Sequence, residues 1–323
     1  MKRIAALALA ALAVLTSEAS AQNTFPTKPL QFIVPFTPGS APDVMTRIIT
    51  ERLSGELGQP VLVENRAGAG GNIAAEYASR QPGDGYTVFV GTVGNMAVSK
   101  SLYAKLAYDP VKSFTPLSIG WLTWNVLIVS SNSKLQTVQD LIKEAKANPG
   151  KLNYGSPGVG TAGHLAGEWF KNLTGADITH VPYRGQNQVV QDLLGGAIQL
   201  SFETIGSAVP VIKNGQVRAL AATSSERLPA LPDVPTFAEA GVNDLDLSGW
   251  GMFFVPSSTP APIAARLNAA LVKVMSAADV RDRIDGLGAK TSPSTAAAAE
   301  AMLLSEIAKW GKIVKAANAR INN

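Results

Sequence analysis

The sequence predicts an α/β protein of two lobes with largely parallel sheets, and three observations carry that prediction. Short β-rich runs alternate with helical stretches over the whole chain after the first twenty or so residues. Two segments about 120 residues apart repeat one design, an apolar strand, a Gly/Pro turn and an amphipathic helix. Two long apolar runs, 117–129 and 247–255, each follow a turn, as expected where a chain crosses from one lobe to the other.

The elements follow in order. Residues 1–21 read as an export signal: Lys2 and Arg3, the apolar run Ile4 to Leu15, and the small-residue site Ala19-Ser20-Ala21. Twelve apolar residues are too few to span a bilayer, so cleavage before Gln22 and release through the Sec route into the periplasm is the expectation, with no membrane insertion afterwards. β-branched and aromatic runs predict strands at 30–34, 61–64, 87–90, 124–130, 151–154, 178–181, 200–202, 219–222 and 251–255. Periodic apolar stretches predict helices at 44–57, 72–79, 137–147, 162–173, 187–194, 205–214, 236–240, 262–275, 278–287 and 294–317. The two crossings place one lobe at 22–123 and 247–323 and the other at 124–246. The C-terminal helices need a sheet to pack on, which the first lobe supplies.

Composition narrows the function. The 28 Lys and Arg against 24 Asp and Glu are mixed along the chain, and the net charge of +4 becomes +3 without residues 1–21. No basic run interleaved with aromatics occurs, so nucleic acid is a poor partner. The absence of cysteine removes disulfides, thiol nucleophiles and Cys metal sites. A chain this long does not need disulfides to fold after export.

The two turns carry the chemistry. In Phe36-Thr37-Pro38-Gly39-Ser40-Ala41-Pro42-Asp43 and Ser156-Pro157-Gly158-Val159-Gly160-Thr161, a Gly/Pro turn leads into a helix. The first amides of a helix lack partners and sit at the positive end of its dipole, and glycine lets a ligand approach them closely. Two such termini point to a small anion gripped between two lobes. Backbone N–H groups of both loops are expected to hold it, helped by the Thr37, Ser40, Ser156 and Thr161 hydroxyls. Asp43 suits a helix cap, with ligand contact as the alternative. Glu203, at the end of the 200–202 strand, is expected to face the cleft, because strand C-termini line the crevice of open α/β sheets. An acid there favours a ligand whose far end carries an amine, a hydroxyl or a ring NH.

Other motifs fail on inspection. Gly158-Val-Gly160-Thr-Ala-Gly163 matches G-x-G-x-x-G, but the next strand ends in Pro182-Tyr183-Arg184 without the acidic residue that holds a ribose. The same glycines have P-loop spacing, yet Thr161 stands where that motif needs Lys. No G-x-S-x-G is present, and His164 and His180 are read as packed residues with no third metal ligand nearby. No cofactor, metal or catalytic residue is expected. Val63-Glu-Asn-Arg-Ala-Gly-Ala-Gly-Gly71 reads as a structural turn, and the five tryptophans as core or interlobe packing.

The ordered series of these motifs, with Pro82-Gly-Asp-Gly-Tyr86, His164-Leu-Ala-Gly-Glu168, His180-Val-Pro-Tyr-Arg-Gly185, Asp192-Leu-Leu-Gly-Gly196 and Leu231-Pro-Asp-Val-Pro-Thr236, resembles the Bug family over nearly the whole chain. These are the extracytoplasmic solute-binding proteins of tripartite tricarboxylate transporters. The resemblance implies a type II periplasmic-binding-protein fold, two α/β lobes closing on a carboxylate, and membrane transporter subunits as partners, with the receptor itself a monomer. It also implies that the two loops above hold one carboxylate, partly through water. Gly39-Ser40 stands where the family commonly has Gly-Gly. Phe202-Glu203 stands where it commonly has Phe-Asp, which would push the acid further into the cleft. Two other readings stay open at this point: a periplasmic enzyme acting on a carboxylated substrate, and a ligand-sensing partner of a membrane receptor.

Overall fold

The structure is a computed structural model that describes residues 25–245 and 247–316. The export segment read at residues 1–21 and the end of the last predicted helix lie outside the described residues. Ten strands are hydrogen-bonded together among the described residues: β1 (Leu30–Val34), β2 (Val61–Asn65), β3 (Thr87–Thr92), β4 (Phe114–Ser130), β5 (Leu152–Ser156), β6 (Ile178–Pro182), β7 (Leu200–Thr204), β8 (Val217–Ala222), β9 (Ser248–Pro256) and β10 (Lys290–Thr291), in the order β2-β1-β3-β9-β4-β7-β5-β6 with β8 and β10 each paired to β4. The helices are α1 (Ala41–Leu57), α2 (Asn72–Ser79), α3 (Ser99–Leu102), α4 (Val138–Ala147), α5 (Ala162–Thr174), α6 (Gln186–Leu194), α7 (Ile205–Lys213), α8 (Ala261–Met275), α9 (Ala278–Asp285) and α10 (Ala296–Ala316).

Strand β4 joins the two lobes. Over Phe114–Trp124 it pairs antiparallel with β9, and over Asn125–Ser130 it pairs antiparallel with β7 and β8. Its 17 residues reach about 56 Å at the usual rise per residue, enough to run through both lobes. On one side β1, β2 and β3 are parallel, and on the other β5, β6 and β7 are parallel. The sheets are therefore mixed rather than largely parallel, because the two crossing strands run against their neighbours.

Three apolar clusters fill the layers. Leu30, Phe32 and Val34 on one face of β1 meet α1, α8 and α9, while Ile33 on the other face joins Phe89, Phe254 and Trp310. Strand alternation makes this division, since successive side chains point to opposite faces. A third cluster under α6 and α7 gathers Val126, Val189, Ile205 and Ala222. Helix α10 packs on β4 and α3, and α8 packs on α1 and β4.

Two local readings are corrected. The helix predicted at 236–240 is a single turn: Thr236 and Glu239 exchange side-chain-to-backbone bonds as in a capping box, but Gly241 at φ 84° ends it at once. The strand predicted at 124–130 starts ten residues earlier, because its first half pairs with β9, a partner far away in sequence.

Gly55 stands exposed inside α1 with no heavy atom within 4 Å of a Cβ built on it. Gly55→Ala is expected to raise stability by about 1 kcal/mol, by removing the entropic cost of a mid-helix glycine. Guanidinium unfolding measures it.

Candidate functional site

Between the lobes lies a cleft of about 630 Å³, open mouth included. Its wall draws on both lobes: Phe36, Ala41, Pro42 and Met45 from the first loop and α1, Thr92 at the end of β3 with Val93 and Gly94 after it, and Trp121, Thr123, Gly249 and Trp250 from the crossing strands. Pro157, Thr161, Ala162 and Gly163 come from the second loop and α5, and Gln186, Phe202 and Thr204 close it. None of these eighteen residues carries a formal charge.

Two helix ends instead turn the positive ends of their dipoles toward the cleft. In α1 the first helical bond is donated by Val44 to the Ser40 carbonyl, and in α5 by Leu165 to the Thr161 carbonyl. The amides of Ala41, Ala162 and Gly163, all residues of the wall, have no partner among the described residues. Two more polar groups are sealed without partners: Ser40 Oγ, beside Ala41, and Thr123 Oγ1 on the wall itself. A buried hydroxyl left unpaired costs about 1–3 kcal/mol, so such groups mark places where a ligand or water completes the bonding.

The predicted residues separate into three sets. Phe36, Ala41 and Thr161 line the cleft. Gly158 and Val159 border a neighbouring interlobe space that also contains Gly68–Gly71 and Arg184, so the third glycine turn lies at the seam between lobes. The rest serve the loops themselves. Thr37 packs beside Gly185, Pro38 is exposed, and Gly39 faces outward and donates its amide to Asp43 Oδ2 at 2.9 Å. Asp43 also takes Arg47 and Asn65, so it staples the first loop to α1 and β2. Burial raises its carboxyl pKa, but the bonds from Arg47, Gly39 and Asn65 and the Arg47 charge outweigh that and hold it below the usual range.

The second loop is tied down from behind. Ser156 Oγ donates to the Gly158 carbonyl at 3.0 Å and contacts His180 Nε2 at 2.7 Å; the Thr161 hydroxyl is also spent on the Gly158 carbonyl. The Gly160 amide donates to His164 Nδ1 at 3.1 Å, which puts the His164 proton on Nε2. Ser156 and Gly160 therefore brace the loop from within, and the open amides belong to the next two residues after Thr161. The two imidazoles pack with ring centroids 4.2 Å apart. Burial pushes His164 down to about 4; burial and the neighbouring His164 push His180 down to about 3. Both rings are neutral near pH 7.

That pair predicts acid sensitivity. A group whose folded pKa lies below its unfolded value near 6.5 lets the unfolded chain bind protons that the fold refuses. Stability is then full above about pH 6.5 and declines as the pH falls toward 4 and 3. Guanidinium unfolding between pH 4 and 8 should show this slope, and His164→Gln should flatten it.

Glu203 does not face the cleft. Phe202 and Thr204 take the cleft side of β7, and alternation turns Glu203 to the opposite face, toward Val126 and the cluster under α6 and α7. It is fully buried, which pushes its carboxyl up to about 7. Glu203 thus stands near the strand end but one residue out of phase with the cleft face.

Several wall residues carried only general signals in the sequence. Thr92 and Gly94 end a parallel strand, where a crevice residue is expected. Trp121 and Trp250 sit in the apolar crossing runs, and their indoles read equally well as core.

Two lobes, a connecting strand and two helix ends on one uncharged, aromatic-rich cleft define a solute-binding receptor. Comparison with known proteins agrees. The family described as "Tripartite tricarboxylate transporter family receptor" matches residues 45–319. Protein BugT of Bordetella pertussis is 34% identical over 300 residues, 93% of this chain and 92% of BugT. The R. palustris protein Rpa4515, solved with adipate, aligns with a TM-score of 0.88 at 35% identity, over 91% of this chain and 98% of the other. MatC from Rhodopseudomonas palustris, solved with malate, aligns at 0.85 and 32% identity, over 90% and 100%. The chain belongs to the tripartite tricarboxylate transporter receptor family and is a Bug-type solute-binding protein, not an enzyme. No helix among the described residues is long and apolar enough to cross a membrane.

Proposed function

We propose that this receptor captures one organic carboxylate in the periplasm, as a monomer, and presents its closed form to the membrane subunits of a tripartite tricarboxylate transporter. The observation that carries the reading is the meeting of two helix N-termini on one wall that has no charged side chain. The Ala41, Ala162 and Gly163 amides hold the carboxylate, with Ser40 Oγ and Thr123 Oγ1 as further partners. Phe36, Trp121, Phe202 and Trp250 receive the apolar body of the solute. The two solved relatives hold adipate and malate, both carboxylates.

The lobes on this reading are residues 22–123 with 247–323, and residues 124–246. The change of β4 from β9 to β7 and β8 after Trp124 supports that division. Closure brings the lobes together around the solute, which stabilises the closed state by its extra contacts there.

A thermal-shift panel of organic acids against their methyl esters tests the reading. An acid at 100 times its dissociation constant should add about 2.7 kcal/mol of stability, and its ester should add almost none. Esters that bind as well as acids would rule out carboxylate recognition at the helix ends.

A further inference from the structure

Thr92 ends β3 on the cleft wall, and the bonds around it fix which way its hydroxyl works. The Thr92 backbone N–H donates to Asn95 Oδ1 at 2.9 Å. A main-chain N–H only donates, so the oxygen end of the Asn95 amide is the end that meets it. The other end, Nδ2, donates to Thr92 Oγ1 at 3.1 Å. Thr92 Oγ1 therefore receives a hydrogen from Asn95, and its own hydrogen has no acceptor among the described residues. Asn95 is fully buried and Thr92 is 8% exposed.

The amide is held in this pose. Asn95 lies in a π-helical turn, Gly94–Val98, that follows β3 directly, a rare geometry frequent at functional sites. The Tyr108 hydroxyl donates to the Asn95 carbonyl. A Cβ built on Gly71 would lie 2.5 Å from Asn95 Nδ2, so glycine at that position leaves the amide its room.

A second donor lies next to Thr92. Thr92 and Trp121 both stand in register with Gly251, one on each side of it. A Cβ built on Gly251 would lie 2.1 Å from Trp121 Cζ2, so the indole lies across β9 toward Thr92. The indoles of Trp169, Trp250 and Trp310 each donate to an oxygen of the protein. The indole N–H of Trp121, another residue of the wall, has no acceptor among the described residues. An indole nitrogen has no lone pair to offer, so this group also only donates.

We infer that Thr92 is a specificity-determining donor to the solute, and that Asn95 is the positioning residue that makes it one. With Trp121 it forms a floor that takes an unprotonated oxygen of the solute, on a carboxylate or a carbonyl. An ammonium placed there finds one lone pair on Thr92 Oγ1, and it leaves the Thr92 hydrogen and the indole N–H buried without acceptors. That selects against the amine-bearing solutes that an acid facing the cleft would favour.

The inference rests on the proposed carboxylate capture, and calorimetry tests it with adipate, malate and the tightest acid of the thermal-shift panel. For each acid that the wild type binds, Thr92→Val, which keeps the shape and loses the hydroxyl, should weaken binding about 10- to 100-fold. Thr92→Ser should stay within about threefold of the wild type. Asn95→Asp has no hydrogen to give, so the Thr92 hydrogen turns back to the carboxylate and the acid loses its donor. Its loss of affinity should nearly vanish in the Thr92→Val background, whereas simple charge repulsion would weaken binding equally in both. In the unliganded protein, the Asn95 side-chain NMR resonances should move in Thr92→Val and stay in place in Thr92→Ser, which checks the positioning bond even where Asn95→Asp fails to fold. Wild-type affinity in Thr92→Val, a loss in Thr92→Ser as large as in Thr92→Val, additive losses in the double variant, or Asn95 resonances indifferent to Thr92→Val would each overturn the inference. Acids that bind without regard to Thr92 leave carboxylate capture standing, and a wild type that binds no acid removes both.

Discussion

Gly94→Leu is expected to abolish solute capture while leaving the free protein folded. Gly94 lines the cleft just after β3, and a Cβ built on it would lie 3.0 Å from the Gly160 carbonyl oxygen in the other lobe and 3.6 Å from the Gly70 carbonyl oxygen. The contact is between main chains, so no side chain can move aside. Gly70 repeats the arrangement, its Cβ position lying 2.8 Å from the Val159 carbonyl oxygen. The seam between the lobes is therefore a place where backbones meet, and a leucine there acts as a wedge. Gly94 has no left-handed φ, so the substitution strains no turn. Loss of closure should weaken binding at least 100-fold, about 2.7 kcal/mol, by calorimetry with any acid that the wild type binds. The unliganded melting temperature should change by only a few degrees. Wild-type affinity in Gly94→Leu would mean that the solute does not require the lobes to meet.

The largest loss of stability is expected at Glu306, on α10. A single oxygen, Oε2, accepts from Trp250 Nε1 at 2.9 Å and from Trp310 Nε1 at 2.8 Å, and all three residues are buried. Glu306→Leu leaves two indole N–H groups in an apolar layer with nothing to accept them. Each such orphan costs about 1–3 kcal/mol, so the variant should lose about 4 kcal/mol in guanidinium unfolding. Glu306→Gln keeps an acceptor oxygen and should lose roughly half as much. Trp250 also lines the cleft, so Glu306→Leu should weaken solute binding beyond what the loss of folded protein explains. A cost below about 1 kcal/mol would mean that the indoles find other partners.

Both effects arise from contacts between distant parts of the chain, and this marks the limit of what could be read in the sequence. A 17-residue strand paired with four others has no local signature beyond its apolar run, so only its second half was legible. Asp43 reads as the helix cap, but Ser40 holds that position and Asp43 sits in the first turn, where its carboxylate takes the Gly39 amide and Arg47, each four residues away. Glu203 could be placed at a strand end but not on a face. The face depends on the pairing of Leu127 with Phe202 and of Asn125 with Thr204, a register the sequence does not display. Trp250 and Glu306, 56 residues apart, carried no sign of each other.

The sequence by itself determined the α/β alternation, the two strand–turn–helix units and the anion-seeking character of their helix ends. All of these follow from backbone sterics, glycine and proline geometry and unpaired first-turn amides, which act over a few residues. Only the tertiary structure decided which amides remain open, which side of β7 faces the cleft, and where the lobes touch. Those outcomes depend on strand register and on main-chain contacts between lobes. The chain closes such contacts at no local cost that a reading along the sequence could detect.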